Sequence, residues 1–443
     1  MTHILGISCY YHDAAAVLLC DGELVAAAEE ERFSRKKHDS DFPSLAIQFC
    51  LEIAGITSQD LDWVVFYEKP FDKFERILKT ALQTYPKSYR VFRESMMTWL
   101  VDKLWIRHAI QSELDLPSER VLFTQHHLSH AASSFYASPF EESAILTVDG
   151  VGEWATAAYG IGKGTDITLT KELRFPHSVG LLYSAFTAFL GFQVNEGEYK
   201  VMGMAPYGEP RYVDKVRQVV RQFDDGSVEL DMDYFCFHHS TVRTFNRKFE
   251  DLFGQPREPE VLFFTKETGF PAYFGERPDN YEELIRENQH YADVAASIQA
   301  VTEEIMVGMA RAVREQTGMT NLCLAGGVAL NSVANGRILS ESGFENVYIQ
   351  PASGDGGGAL GAALHAYHGM LGMPRGFQMR HAYWGAEYSD EEIESYLKSE
   401  GVIYTTCSDN ADLVEKTAEL LASGKVVGWF QGRFEWGPRA LGN

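Results

Sequence analysis

The sequence predicts an α/β fold made of two copies of one unit, facing each other across a cleft. Three observations lead to it. A strand, loop, strand, turn, strand layout opens the chain and returns near residue 144. Apolar runs of strand length alternate with stretches of helical period through most of the sequence. Two strand–glycine–helix segments follow one another in the second half, as in folds that bind nucleotides at strand ends.

The first copy starts with Ile4–Ser8 (ILGIS), a short apolar run of buried-strand type. Ala14–Leu19 is a second strand and, after the turn CDG, Glu23–Glu30 a third. Helical patterns follow around Pro43–Ala54 and Phe71–Thr84. In the second copy Ala144–Val148 is a strand, DGVGEW a polar loop, Ala155–Ile161 a strand, GKGTD a turn and ITLTKEL a strand. Placing Ile4 on Ile145 sets Ala14, Ala15 and Ala16 on Ala155, Thr156 and Ala157 without a gap. Two such lobes around a nucleotide cleft make the duplicated actin-like ATPase fold. Tyr291–Gln316 has helical period throughout, Asn321–Leu339 reads as strand, glycine turn and helix, and Asn346–Tyr367 repeats that plan. Residues 1–371 thus form the two-lobed region and 372–385 a linker. A second α/β region occupies 386–443, with a helix, a strand and a helix from Ser389 onward.

The bulk composition narrows the function classes. A length of 443 residues with 45% hydrophobic and 23% charged residues is that of a globular chain with room for two or three domains. The formal net charge of −23 argues against non-specific nucleic-acid binding, which needs Lys and Arg to neutralise phosphates, and permits a cationic substrate. Six scattered cysteines without a Cys-x-x-Cys suit a reducing cytoplasm. Cys236, His238 and His239 lack a second pair of zinc ligands nearby. The N-terminus has no charged-then-apolar signal layout, and no apolar run approaches the ~18 residues of a membrane span.

The chemistry concentrates at a few places. His126 and His130, in QHHLSHAASSFY, stand one helical turn apart and can hold one ion from one face; a half-buried helix with polar histidines at its mouth is the plainer alternative. Asp149 ends the strand AILTVD, and Asp355 lies in SGDGGG between a strand and a helix, where α/β sheets place ligands. Together they form a two-His, two-Asp set suited to iron(II) or zinc. Gly326 and Gly327 precede a helix starting near Asn331, and Gly356, Gly357 and Gly358 follow Asp355; both glycine groups would let a nucleotide approach backbone at a helix N-terminus. No Gly-Lys-Ser/Thr ending makes this a P-loop. Gly197–Gly208 (GEYKVMGMAPYG) reads as a structured loop over a ligand. His12, in the loop after the first strand, reads either as a general base for a hydroxyl or as a hydrogen-bonded loop histidine.

HDAAAVLLCDGELVAAAEEERFSRKKHD, HHLSHAASSFY, FPHSVGLLYSAFT, GEYKVMGMAPYG, GGVALN and GRFEWGPRALGN, in this order over nearly the whole chain, resemble the NodU/CmcH carbamoyltransferases. The resemblance implies an N-terminal actin-like domain of threonylcarbamoyl-transferase type and a C-terminal domain like threonylcarbamoyl-AMP synthases. It implies ATP-dependent O-carbamoyl transfer: carbamoyl phosphate and ATP (with Mg2+) give carbamoyl-adenylate, and a site bearing Fe2+ or another divalent metal passes the carbamoyl group to the hydroxyl of a small molecule. Carried over, His126, His130, Asp149 and Asp355 hold the metal. Lys37, Asp149, Gly150, Ser178, Gly326, Gly327, Asn331 and Asp355 meet the nucleotide or carbamoyl-adenylate, Arg433 and Arg439 meet carbamoyl phosphate, and His12 stands near the acceptor. The implied partners are these small molecules, in the cytoplasm, with no nucleic acid and no membrane; a homodimer is compatible with them.

Members of that family continue beyond GPRALGN, so the resemblance also implies that the second region is incomplete here. Two rival readings follow: an actin-like-fold small-molecule kinase, which would need a catalytic carboxylate and Mg2+ but no His-x-x-x-His, and a non-catalytic nucleotide-binding module.

Overall fold

The computed structural model describes residues 1–101, 103–259 and 261–441. Its frame is a pair of five-stranded sheets with one strand plan. In the first, β1 (His3–Ser8) pairs antiparallel with β2 (Ala15–Cys20), which pairs antiparallel with β3 (Glu23–Glu29); on its other side β1 runs parallel to β4 (Trp63–Phe66), and β4 to β5 (Val121–Phe123). In the second, β6 (Glu142–Val148), β7 (Ala155–Lys163) and β8 (Asp166–Arg174) form the antiparallel part. A small hairpin, β9 (Val220–Gln222) and β10 (Val228–Leu230), intervenes before β11 (Asn321–Ala325) and β12 (Asn346–Tyr348) extend the sheet in parallel from β6.

The registers repeat too. Ile4 faces Leu19 and Leu5 faces Leu18 in the first hairpin; Ile145 faces Gly160 and Leu146 faces Tyr159 in the second. These are the partners that the gapless placement of Ile4 on Ile145 requires, and the duplicated actin-like plan is present. The central strands are apolar on both faces because helices cover both, whereas β8, at an edge, alternates between exposed and half-buried residues.

Two helices lock the lobes together. The histidine helix, His126–Phe135, follows β5 of the first sheet but packs on β6 and β11 of the second. The glycine helix, Asp355–Leu364, follows β12 of the second sheet but packs on β1, β2 and β4 of the first. They also pack on each other, which only small residues allow. A Cβ on Gly361 would stand 1.7 Å from the Ser129 carbonyl oxygen, and one on Gly6 would stand 1.9 Å from that of Ala359.

This packing corrects the reading of Gly356, Gly357 and Gly358 as a place of ligand approach. All three are buried; a Cβ on Gly357 would meet the Ala352 carbonyl oxygen at 1.9 Å, and one on Gly358 the Tyr67 ring at 2.6 Å. Gly357 and Gly358 make room for protein, whereas a Cβ on Gly356 would find only ordinary contacts, at 3.9 Å. Gly197–Gly208 is also not a loop: it forms the helix Glu198–Met204 and a 3-10 turn, Ala205–Tyr207, because Val201, Met204 and Ala205 lie at helical spacing and are buried. The long helix begins at Tyr281 and ends at Thr317. No helix among the described residues is long and apolar enough to cross a membrane.

Beyond residue 371 the chain stays close to the first lobe. Arg375 donates to the carbonyls of Phe135, Ser138 and Phe140 at the end of the histidine helix. β13 (Tyr383–Glu387) and β14 (Arg433–Glu435) form a ribbon, after which Trp436 is fully buried. The helices Asp390–Ser399 and Asn410–Ala422 between them bury no residue. The strand expected between these helices is not formed: Val402 and Ile403 are exposed, and no strand among the described residues pairs with them.

Candidate metal and nucleotide site

The exchange of helices brings equivalent ends of the two units to one point. His126 is the first residue of the helix after β5, Asp355 the first residue of the helix after β12, and Asp149 directly follows β6. His130 lies one turn beyond His126. Gln125 supplies no side-chain cap to the histidine helix. Glu153 does so instead: its carboxylate accepts the His126 N–H at 3.0 Å, and also the Lys69 N–H at 2.9 Å.

All four predicted ligands are buried, and their donor atoms lie within 4.8 Å of one another. His126 Nε2 is 2.9 Å from Asp149 Oδ2 and 3.6 Å from Asp355 Oδ1. His130 Nε2 is 3.8 and 3.5 Å from the same atoms, and 3.1 Å from His126 Nε2. Asp355 Oδ1 is buried and accepts no hydrogen bond. Two inward-facing imidazole nitrogens and an unsatisfied carboxylate oxygen at this spacing fit a divalent cation.

The surrounding contacts hold these ligands as metal ligands are usually held. Gly327 N–H donates to Asp149 Oδ1 at 2.8 Å, and the Tyr67 hydroxyl donates to Asp355 Oδ2 at 3.4 Å. Glu68, paired with Lys73 at 2.6 Å, comes within 3.7 Å of His126 Nδ1, an ion-pair distance too long for a hydrogen bond. Burial pushes the His126 imidazole down, but Asp355, Asp149 and Glu68 together hold it well above its ordinary value. Burial pushes Asp149 up, and His126 and His130 bring it well below the usual carboxylate range. His127, in the middle of the motif, points elsewhere. Its nitrogens lie 2.7 Å from Thr147 Oγ1 and 2.9 Å from the Ala155 carbonyl, and burial, then His126 and His130, push it down to about 3.

Above the cluster a cleft opens between the lobes; His12, Asp149, Gly150, Gly327, Asn331 and Arg439 line it. His12 Nε2 is 3.7 Å from Asp355 Oδ2, while Nδ1 bonds to Asp13 at 2.9 Å. The other Asp13 oxygen bonds to His38 Nδ1 at 2.7 Å. Burial lowers His12, but Asp355 and Asp13 outweigh it and raise the imidazole to about 9.

The other predicted residues divide. Asn331 caps the helix Ser332–Glu341 and exchanges amide hydrogen bonds with Gln299. Lys37 and Arg439 both approach the Tyr199 ring, at 5.5 and 5.0 Å from its centroid. Ser178 is buried: its hydroxyl donates to the Gly150 carbonyl at 2.7 Å and accepts from Leu181 N–H, so it shapes the Asp149–Gly150 loop from behind. Gly326, at φ +96°, lies so close to β6 that a Cβ would stand 2.2 Å from the Val148 carbonyl oxygen. Arg433 is not at the cleft; it donates to the carbonyls of Gly385 and Trp384 across the ribbon.

Sequence reasoning placed Asp13 beside His12 in the loop between the first two strands without giving it a role, and missed His38, Glu68, Tyr67 and Glu153. The neighbour relation in His12-Asp13 was the one available signal. Glu68 and Glu153 reach the histidine helix only through the tertiary fold.

Residues 3–364 match the family described as Carbamoyltransferase N-terminus, and residues 418–443 the family described as Carbamoyltransferase C-terminus. The chain is similar to an uncharacterized protein of Synechocystis sp., with 49% identity over 100% of this chain and 70% of that protein. It is similar to nodulation protein NolNO of Sinorhizobium fredii, with 34% identity over 98% of this chain and 58% of that protein. It also resembles the 3'-hydroxymethylcephem-O-carbamoyltransferase of Streptomyces clavuligerus, with 32% identity over 39% of this chain and 31% of that enzyme. The chain spans only part of the length of each relative.

Proposed function

The chain belongs to the carbamoyltransferase family, and from that premise we propose that it places a carbamoyl group on the hydroxyl of a small molecule at the expense of ATP. The observation that carries this reading is the His126, His130, Asp149 and Asp355 cluster at the floor of the interlobe cleft, with His12 facing it. Family membership favours carbamoyl over phosphoryl transfer.

In this reading one water cleaves carbamoyl phosphate to carbamate and phosphate, and a carbamate oxygen then bonds to the α-phosphorus of ATP as pyrophosphate leaves, giving carbamoyl-adenylate. The acceptor oxygen then bonds to the carbamoyl carbon, the bond from that carbon to the adenylate oxygen breaks, and AMP leaves. His12 takes the hydroxyl proton on Nε2; Asp13, bonded to Nδ1, fixes the ring so that Nε2 faces the cleft. His126, His130, Asp149 and Asp355 would hold Fe2+ or another divalent cation, which when bound supplies Lewis acidity toward carbonyl and phosphate oxygens. Gly150, Gly327 and Asn331 border the nucleotide, and Ser178 and Gly326 shape its walls. Arg439 and Lys37, flanking Tyr199, put positive charge at the cleft mouth, where a phosphate can be met by a fork of N–H donors. Arg439 is the better candidate for that contact than Arg433, whose guanidinium is tied to the ribbon backbone.

The test supplies synthetic carbamoyl-adenylate to the metal-loaded chain with a panel of hydroxyl compounds, and follows AMP release and carbamoylated product by mass spectrometry. AMP release above the spontaneous rate, lost in a His126→Ala/His130→Ala variant, is the expected result. Failure of every acceptor to raise AMP release would overturn the reading.

A further inference from the structure

Two buried arginines of the described residues have no carboxylate within ion-pair distance, Arg76 and Arg257, and Arg257 is held by the Leu190 and Val261 carbonyls. Arg76, on the helix Pro70–Gln83, is 7% exposed, and its Nε has no hydrogen-bond partner. Lys73, one turn earlier on the same helix, is equally buried but is paired with Glu68 at 2.6 Å. A guanidinium carries five donors, and burying it unpaired is among the most unfavourable arrangements a fold can keep. The chain as a whole carries a formal charge of −23, so carboxylates are plentiful, yet the two that act on this guanidinium, Glu68 and Glu153, stay beyond ion-pair distance and face His126 and its helix instead.

The surroundings point to a ligand. The Phe175 ring of the second lobe lies 5.0 Å from the guanidinium carbon, so the flat group has an aromatic surface on one side. On the other side of Lys73 stands Tyr11, whose ring centroid is 4.6 Å from Lys73 Nζ and 4.6 Å from the His12 ring. Tyr11 lines the cleft and is 38% exposed. The same helix meets the second lobe again where Trp154 donates to Glu75 at 3.3 Å. Arg76 therefore sits at the seam between lobes, one aromatic ring away from the cleft wall that carries His12.

We propose that Arg76 docks an anionic group of the acceptor, so that the acceptor is a hydroxyl compound bearing a carboxylate, phosphate or sulfate near the hydroxyl that reaches His12. The proposal rests on the reading of His12 as the residue that meets the acceptor. Planar, bidentate recognition of an oxyanion is what a guanidinium does and an ammonium does not.

The experiment is calorimetric titration of the full chain with glycerol, glycerate and glycerol 3-phosphate, probes of one carbon skeleton. The native chain is expected to bind at least one anionic probe about tenfold or more tightly than glycerol, as a charge-assisted pair implies. The two anionic arms tell carboxylate from phosphate. Arg76→Gln should erase the preference and Arg76→Lys should keep part of it. An equal response to all three probes, or an unaltered preference in Arg76→Gln, would each overturn the proposal. Thermal melting gives a second readout. Arg76→Met should melt at or above the native temperature without ligand; a clear drop would mean that the guanidinium is already satisfied, and would also overturn it. Neither readout uses carbamoyl transfer, so failure here and failure of the proposed reaction are distinguishable.

Discussion

His12 stands between two carboxylates, Asp13 and Asp355, and that sets its protonation. Raised to about 9, it is charged at neutral pH in the metal-free protein, whereas a base must be neutral when it acts. A divalent cation held by Asp149 and Asp355 would offset charges that raise His12, so transfer by the metal-loaded chain should rise with pH through a range below 9, and His12→Asn should flatten the profile and slow transfer by roughly 10²–10⁴-fold while leaving nucleotide binding nearly unchanged. A pH-independent native profile would remove His12 from proton transfer. Glu68 acts on the cluster through His126 Nδ1. Glu68→Gln should weaken metal binding by roughly 10–100-fold, read by competitive chelation, and should also lower stability, because it leaves the buried Lys73 ammonium without its carboxylate. At this scale His126, His130, Asp149 and Asp355 were legible because helical spacing and strand ends are local features. Their partners Glu68 and Glu153 were not, since each reaches them from another part of the fold.

At the scale of elements, the two crossed helices decide both stability and site. Gly361→Ala would put a Cβ 1.7 Å from the Ser129 carbonyl, against backbone that cannot turn away. Destabilisation toward or beyond the upper end of about 1–3 kcal/mol is expected, measured by denaturant unfolding, together with lower metal occupancy, because both helices carry ligands. Glu153→Ala should cost about 1.5–3 kcal/mol by the same measurement, since the His126 and Lys69 N–H groups lose a charged acceptor. Strand positions and the repeated hairpin were readable from apolar runs and turns. The glycine run after Asp355 was misread because a glycine that admits a ligand and a glycine that admits another helix look alike in sequence. The helix Glu198–Met204 was misread because the glycines and proline around it suggested a loop, although its buried residues have helical spacing.

For the whole molecule, the histidine and glycine helices tie each lobe to the other's sheet, so disturbance at their crossing should be felt by both. His127 offers a test through acid unfolding. Folded, it is held to about 3 by burial and by its histidine neighbours; unfolded, it takes a proton near 6.5. Its contribution to stability is complete above pH 6.5 and is lost as pH falls from there toward 3, because the unfolded state then binds the extra proton. His127→Asn should make the fall in stability across that window shallower; an unchanged slope would show that the imidazole is not buried in its neutral form. The sequence by itself determined the duplicated plan, the register of its hairpins and the four candidate ligands, because apolar period, turn residues and helical spacing act over short distances along the chain. Only the tertiary structure decided that Arg76 is buried with its Nε unpartnered, that Ser178 faces inward, that Arg433 stays on the ribbon and that Arg439 reaches the cleft. Those outcomes depend on which surfaces meet across the lobes, and contact between segments far apart in the chain leaves no mark in local pattern.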